Sequence, residues 1–316
     1  MAIPTSRTSD AAQVAINNDL CSGCGLCIKV CKDFGLRLAN EKAALSGKPL
    51  FGCIGCGHCM AICPTDAIKV HGRTIAPEQI FPLEPEKTAA SFQQLTALLH
   101  RRRSLREFSD KPVEQALAEK ILQAAQSAPS GLPPSDVNVL IIDGIEKNRL
   151  FAADFCTYLK SLHWLHYRWL PVLLRLFLGQ KNSDLFKNFV KPALAAFTEK
   201  MDEGVNIVSY DAPLSMYFYA SPYADPADPI IAATYAMLAA EALGLGSCMI
   251  GSIHPLIQHG RKARLFRQKY GIKNASREGI FVLFGYPEIK YSKGIKRTFA
   301  SVDYLSVTTP GGIAEA

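Results

Sequence analysis

Cys21-Ser-Gly-Cys24-Gly-Leu-Cys27-Ile-Lys-Val-Cys31 and Cys53-Ile-Gly-Cys56-Gly-His-Cys59-Met-Ala-Ile-Cys63-Pro64 repeat one pattern, C-x2-C-x2-C-x3-C. Eight of the 10 cysteines of this 316-residue chain lie in these two blocks; only Cys156 and Cys248 lie beyond. The segment from Met1 to Asp19 has no apolar run ending in a small-residue cleavage site. Clustered cysteines without a secretory signal read as metal ligands in a reducing, cytoplasmic setting, not as disulfides.

Three thiolates spaced by two residues wrap one corner of an iron–sulfur cubane, and the intervening glycines let backbone N–H groups approach the sulfides. The fourth cysteine points the other way, toward a second cluster. One [4Fe–4S] cluster is therefore expected on Cys21, Cys24, Cys27 and Cys63, and another on Cys53, Cys56, Cys59 and Cys31. Zinc sites instead pair two cysteines with more distant ligands. His58 is expected beside the site or on the surface, not as a ligand. Residues 19–72 resemble the two-cluster bacterial ferredoxins. One departure stands out: Pro64 follows Cys63 as in that family, but Lys32 follows Cys31.

Composition, at 48% hydrophobic and 20% charged, is that of a globular protein long enough for two domains. Residues 1–18 read as a loose leader. The stretch 73–90 carries Pro77, Pro82 and Pro85 and reads as a linker to a second domain over 91–310. Residues 1–86 hold 8 basic and 8 acidic side chains, leaving 27 basic and 20 acidic beyond them. That excess suits an anionic cofactor or an acidic electron carrier, and equally a solvated basic surface.

In the second part, helices are predicted from Ser91, over Val113–Ser127 and over Pro229–Leu243, and strands over Val137–Asp143, Ser215–Ala220 and Gly279–Gly285. The Leu- and Trp-rich segment 161–178 contains His163, His166, Arg168, Pro171 and Arg175, which are costly in hydrocarbon. A core helix, a dimer contact or an active-site lid is expected there, with a membrane-surface helix as the minor alternative.

Arg101-Arg102-Arg103-Ser104-Leu105-Arg106-Glu107-Phe108 is a basic cluster with a hydroxyl, suited to phosphate; alone it reads equally as a charge run or a nucleic-acid patch. Four further motifs follow it in order: Ala128-Pro129-Ser130-Gly131, then Ala239 to Cys248, then Gly285-Tyr286-Pro287, then Arg297. Together these resemble the nitroreductase family over about residues 91–305.

That resemblance implies an α+β fold, a central sheet flanked by helices, binding FMN at a homodimer interface. It places Arg102, Arg103, Ser104 and Arg106 on the FMN phosphate and ribityl chain, with Lys293 and Arg297 completing the phosphate site. It brings Pro129, Ser130 and Gly131 to the flavin from the partner subunit, and sets the backbone of Ile250 and Gly251 against its reactive edge. Leu132, Pro133 and Pro134 stand where the family often has Asn and Gln-Pro, so a side-chain hydrogen bond to the flavin is missing. Cys156, Cys248, His254 and the tyrosines 210, 217, 219 and 223 are expected in structural roles, and no catalytic residue is assigned.

The resulting expectation is an oxidoreductase in which the clusters relay electrons to FMN, which reduces a small-molecule acceptor: a nitro compound, a quinone or an activated double bond. A ferredoxin-like carrier is the expected donor, with NAD(P)H as the variant, since no G-x-G-x-x-G fingerprint is present. The alternative is a non-enzymatic electron carrier or redox sensor acting on a protein partner. No nucleic-acid recognition motif accompanies the basic cluster.

Overall fold

The computed structural model describes residues 2–162 and 169–305. Its N-terminal module is two antiparallel strand pairs around the cysteines. β1 (Gln13–Ile16) pairs with β4 (Ile68–His71), and β2 (Leu36–Ala39) with β3 (Lys42–Leu45). The short helices α1 (Leu26–Val30) and α2 (His58–Ala61) carry Cys27 and Cys59. Each is entered through a left-handed glycine, Gly25 at φ 72° and Gly57 at φ 74°, so the two cysteine blocks make the same turn. Only glycine adopts that conformation without strain.

The expected loose leader over 1–18 is overturned. Residues 13–16 form β1, and the Ala12 N–H donates to the Cys53 carbonyl at 2.8 Å. Four residues are too few to show a strand period in sequence, and the partner strand lies more than fifty positions on. Ala2 and Thr5 are buried as well. The stretch 73–90 holds two single-turn 3₁₀ segments, Pro77–Gln79 and Glu86–Thr88, and no strand.

The second part is a four-stranded antiparallel sheet of order β5-β6-β8-β7: β5 (Val137–Asp143), β6 (Leu214–Ala220), β8 (Gly279–Gly285) and β7 (Gly246–Ile250). β6 and β8 are buried at every residue, as central strands covered on both faces are. One face packs on α4 (Gln115–Gln126) and α9 (Asp228–Ala242), through Ile121, Ala233, Ala236, Met216, Phe218 and Phe284. The other packs on α5 (Ile145–Ser161) and α10 (Arg261–Lys269), through Phe151, Phe155, Phe266, Tyr217 and Phe281. α3 (Phe92–Arg101) starts at Ser91, whose hydroxyl caps it by accepting from the Gln94 N–H at 3.2 Å.

Within 161–178, residues 163–168, and with them His163, His166 and Arg168, lie outside the described residues, as do 306–310 of the expected second domain. The rest forms α6 (Leu170–Leu178), followed by α7 (Gln180–Leu185), a π-helical turn at Phe186–Val190 and α8 (Lys191–Asp202). Val172, Leu176 and Phe177 of α6 are 60%, 75% and 78% exposed, so these side chains do not form the expected core packing. Among the described residues no helix is long and apolar enough to cross a membrane.

Candidate functional site

The cysteines fall into two crossed quartets. Cys21, Cys24, Cys27 and Cys63 line one cavity; Cys31, Cys53, Cys56 and Cys59 line another. The crossing is electrostatic as well as spatial: Cys63 acts on Cys21, and Cys31 acts on Cys53 and Cys59. Among the described residues no three Cys, His, Asp or Glu side chains crowd around a single-ion position; the thiols surround a volume. Burial, then the neighbouring Cys53, Cys56 and Cys31, push the Cys59 thiol up to about 12. Burial likewise raises Cys27 and Cys53. Such crowded thiols ionise when positive charge is bound among them. In the first quartet the Ala43 and Gly23 N–H groups hold Cys21 below its usual range. Ala43 N lies 3.4 Å from Cys21 Sγ, and Ala67 N 3.3 Å from Cys63 Sγ. Both quartets therefore have the donor set and the backbone approach that an iron–sulfur cluster needs. His58 is exposed at the start of α2.

The basic motif leaves α3 and lies along the edge strand β7. Ser104 bridges Ser247, and the Leu105 N–H donates to the Ser247 carbonyl at 3.0 Å. The structure divides the arginines. Arg102 and Arg106 lie near Cys248, with the Arg106 guanidinium 5.8 Å from the Tyr210 ring centre. Arg103 turns the other way, beside Gly294, where an added Cβ would stand 3.4 Å from its Nη2. Lys293 is thus brought near Arg103, and Arg297 is exposed further along the same stretch. Gly246 is required: a Cβ there would meet the Leu105 side chain at 2.3 Å. The Ser247 hydroxyl is buried without a hydrogen-bond partner among the described residues, an orphaned polar group beside Ser104 that suits a bound polar ligand. Sequence reasoning assigned Ser247 no role. At the far end of β7, Ile250 pairs with Phe281 and Gly251 is exposed.

Pro129, Ser130 and Gly131 are elsewhere. The Gly131 N–H donates at 3.0 Å to Asp228, at the start of α9, while Arg101 lies 3.6 Å from Glu241, near its end. Thirteen residues of helix, about 20 Å, separate the two. The loop also leads into β5, at the opposite edge of the sheet from β7.

The remaining candidates have structural partners. Tyr217 stacks on Tyr219 and Phe281, and its hydroxyl lies 2.8 Å from His254 Nδ1 in the core. Cys156 and Cys248 are both buried, and Tyr223 is exposed.

The family model described as the nitroreductase family matches residues 99–286, more than half of the chain. The chain belongs to the nitroreductase family. A second model, a 4Fe-4S dicluster domain, matches residues 13–64, ahead of the nitroreductase domain and starting with β1. Among solved structures, an FMN-bound nitroreductase from Bacteroides fragilis is 17% identical, covering 67% of this chain and 99% of its own at a TM-score of 0.51, which supports the fold. An FMN-bound nitroreductase from Desulfitobacterium hafniense is 20% identical over 67% of this chain and 97% of its own, at 0.47. No curated protein matches the chain.

Two further residues, missed in the sequence, fasten the dicluster domain to the nitroreductase domain. Arg73 is buried and donates to the carbonyls of Ile54 (3.0 Å), Asp10 (2.8 Å), Ile3 (3.0 Å) and Pro133 (2.8 Å). Asp136 accepts from the Ser6 N–H (2.8 Å), the Ser6 hydroxyl (2.6 Å) and the Ser221 hydroxyl (2.7 Å). No local pattern marks either residue, because their partners across the seam, Pro133 and Ser6, lie 60 and 130 positions away.

Proposed function

We propose that the protein is an FMN-dependent iron–sulfur oxidoreductase in which two [4Fe–4S] clusters feed electrons to FMN, which reduces a small organic acceptor. The observation that carries this reading is the pair of crossed cysteine quartets fastened to a nitroreductase domain. Cys21, Cys24, Cys27 and Cys63 hold one cluster and Cys31, Cys53, Cys56 and Cys59 the other. Arg102, Arg103, Ser104, Arg106, Lys293 and Arg297 hold the flavin phosphate and ribityl chain, with the backbone of Ile250 and Gly251 at the ring. Pro129, Ser130 and Gly131 of a second copy close the site in a homodimer. The separation of that loop from the arginine motif along α9 supports the dimer, since one protomer does not bring both halves together.

The clusters supply one-electron steps and the flavin collects two, which suits a nitro group, a quinone or an activated double bond. The donor is a ferredoxin-like carrier or NAD(P)H, and the cysteine chemistry suits the cytoplasm. An FMN-bound neighbour of the same fold supports the flavin. The test is anaerobic purification with iron, sulfide and flavin quantitation, then reduction by dithionite, NADH and reduced ferredoxin in parallel. About eight irons and one FMN per chain, with flavin reoxidised by a nitroaromatic or a quinone, is the expected result. Iron without flavin overturns it.

A further inference from the structure

We propose that electrons cross between subunits: the cluster module of one protomer serves the flavin held by the arginine motif of its partner. This rests on the homodimeric FMN reading above and goes beyond it, because that reading leaves open which clusters serve which flavin.

The argument is geometric. Each protomer carries two half-sites, the arginine motif at β7 and the 129–131 loop before β5, at opposite edges of the sheet and opposite ends of α9. The cluster module is fastened to only one of them. Arg73 joins the carbonyl of Ile54, between Cys53 and Cys56, to that of Pro133. Ser6 joins Asp136, and Arg7 donates to the Ser135 carbonyl at 3.1 Å. A cavity of about 590 Å³ opens at this seam, lined by Arg7, Thr74 and Gln79 from one side and Pro129, Ser130 and Asp228 from the other. None of these fastenings reaches the arginine motif of the same chain. The flavin that a protomer's 129–131 loop approaches is the one its partner's arginines hold, so the Cys53–Cys59 cluster lies on the side of the partner's flavin.

Each transfer oxidises one cluster by one electron and reduces the flavin by one. Two transfers, with two protons from solvent, give the dihydroflavin, and a one-electron carrier of the ferredoxin type re-reduces the clusters.

Mixed dimers of two differently tagged full-length chains test this. In the first pairing one chain carries Cys56→Ser and the other Arg103→Glu. In the second, both lesions sit on one chain and the other is unaltered. Each dimer is assayed for iron and FMN per dimer, then for the rate at which flavin absorbance bleaches after photochemical reduction of the clusters, without acceptor. The expected result is bleaching at the unaltered rate in the first pairing and at least a hundredfold slower in the second. The reverse order, or equal rates in both, overturns the proposal. Absence of FMN from the unaltered dimer instead overturns the functional reading, and this inference with it. If Cys56→Ser chains do not assemble, Arg73→Met replaces that lesion in both pairings, leaving the ligands in place, and the same order of rates is expected.

Discussion

The guanidinium of Arg73 donates through Nη2 to the Pro133 carbonyl at 2.8 Å and through Nε to the carbonyl of Ile54, in the second cysteine block, at 3.0 Å. One side chain thus touches both a cysteine loop and the nitroreductase domain. Arg73→Met leaves four carbonyls without this donor. Three of these, those of Ile3, Asp10 and Ile54, lie within the module itself; only that of Pro133 crosses the seam, so at about 1–3 kcal/mol for a buried group left unsatisfied, docking weakens by about 1–3 kcal/mol. Limited proteolysis should then cut within 77–90 at least tenfold faster. An unchanged cleavage rate would show that Arg73 is not the fastener.

The crossing of the quartets makes single serine substitutions diagnostic. Cys63→Ser, although it lies in the second block, should spare the cluster of Cys53, Cys56 and Cys59, and Cys31→Ser should spare that of Cys21, Cys24 and Cys27. Each variant keeps about four of about eight irons. Electron paramagnetic resonance of the two variants should show complementary halves of the unaltered spectrum; identical residual signals would mean the quartets are not crossed.

Gly246 admits Leu105 where a Cβ would collide with it. Gly246→Ala moves Leu105, and with it the flanking Arg103, Ser104 and Arg106. We expect a stability loss of about 1–3 kcal/mol from overpacking and a tenfold or greater rise in the FMN dissociation constant. Calorimetric titration of the deflavinated protein checks the second; FMN binding as in the unaltered chain would separate the motif from the flavin.

Burial lowers the His254 pKa, against the Arg277 carbonyl and the charge of Glu278, which raise it. The unfolded chain therefore binds a proton that the folded chain refuses. His254 costs nothing at pH 8 and progressively more as pH falls below about 6.5, toward its folded value. Urea midpoints measured between pH 7.5 and 5.8 should fall for the unaltered protein more steeply than for His254→Gln. Parallel slopes would remove His254 from the acid response.

The strands Val137–Asp143 and Gly279–Gly285 were legible to the residue, because each is an apolar run bounded by turn-forming neighbours. The grouping of eight cysteines into two crossed quartets was legible because the spacing within each block is local. β7 was not predicted: Gly246–Ile250 is short, and its glycine reads as the end of α9. β1 was hidden for the same reason of length. The fasteners Ser6, Arg73 and Asp136 could not be read at all, since a polar residue paired 60 to 130 positions away looks like any solvated one. In the arginine motif the residue types pointed to phosphate, but not to the division that sends Arg103 toward Gly294 and Arg106 toward Tyr210.

The contacts of Ser6 and Arg73 with Asp136 and Pro133 also impose an order on biogenesis. During translation, residues 1–73 leave the ribosome before Pro133 and Asp136 have been made. Both cysteine blocks are thus complete while the surface they will dock against does not yet exist. A cluster assembled on the nascent chain would therefore be built while the Cys53–Cys56 loop is open on the side that the finished protein closes.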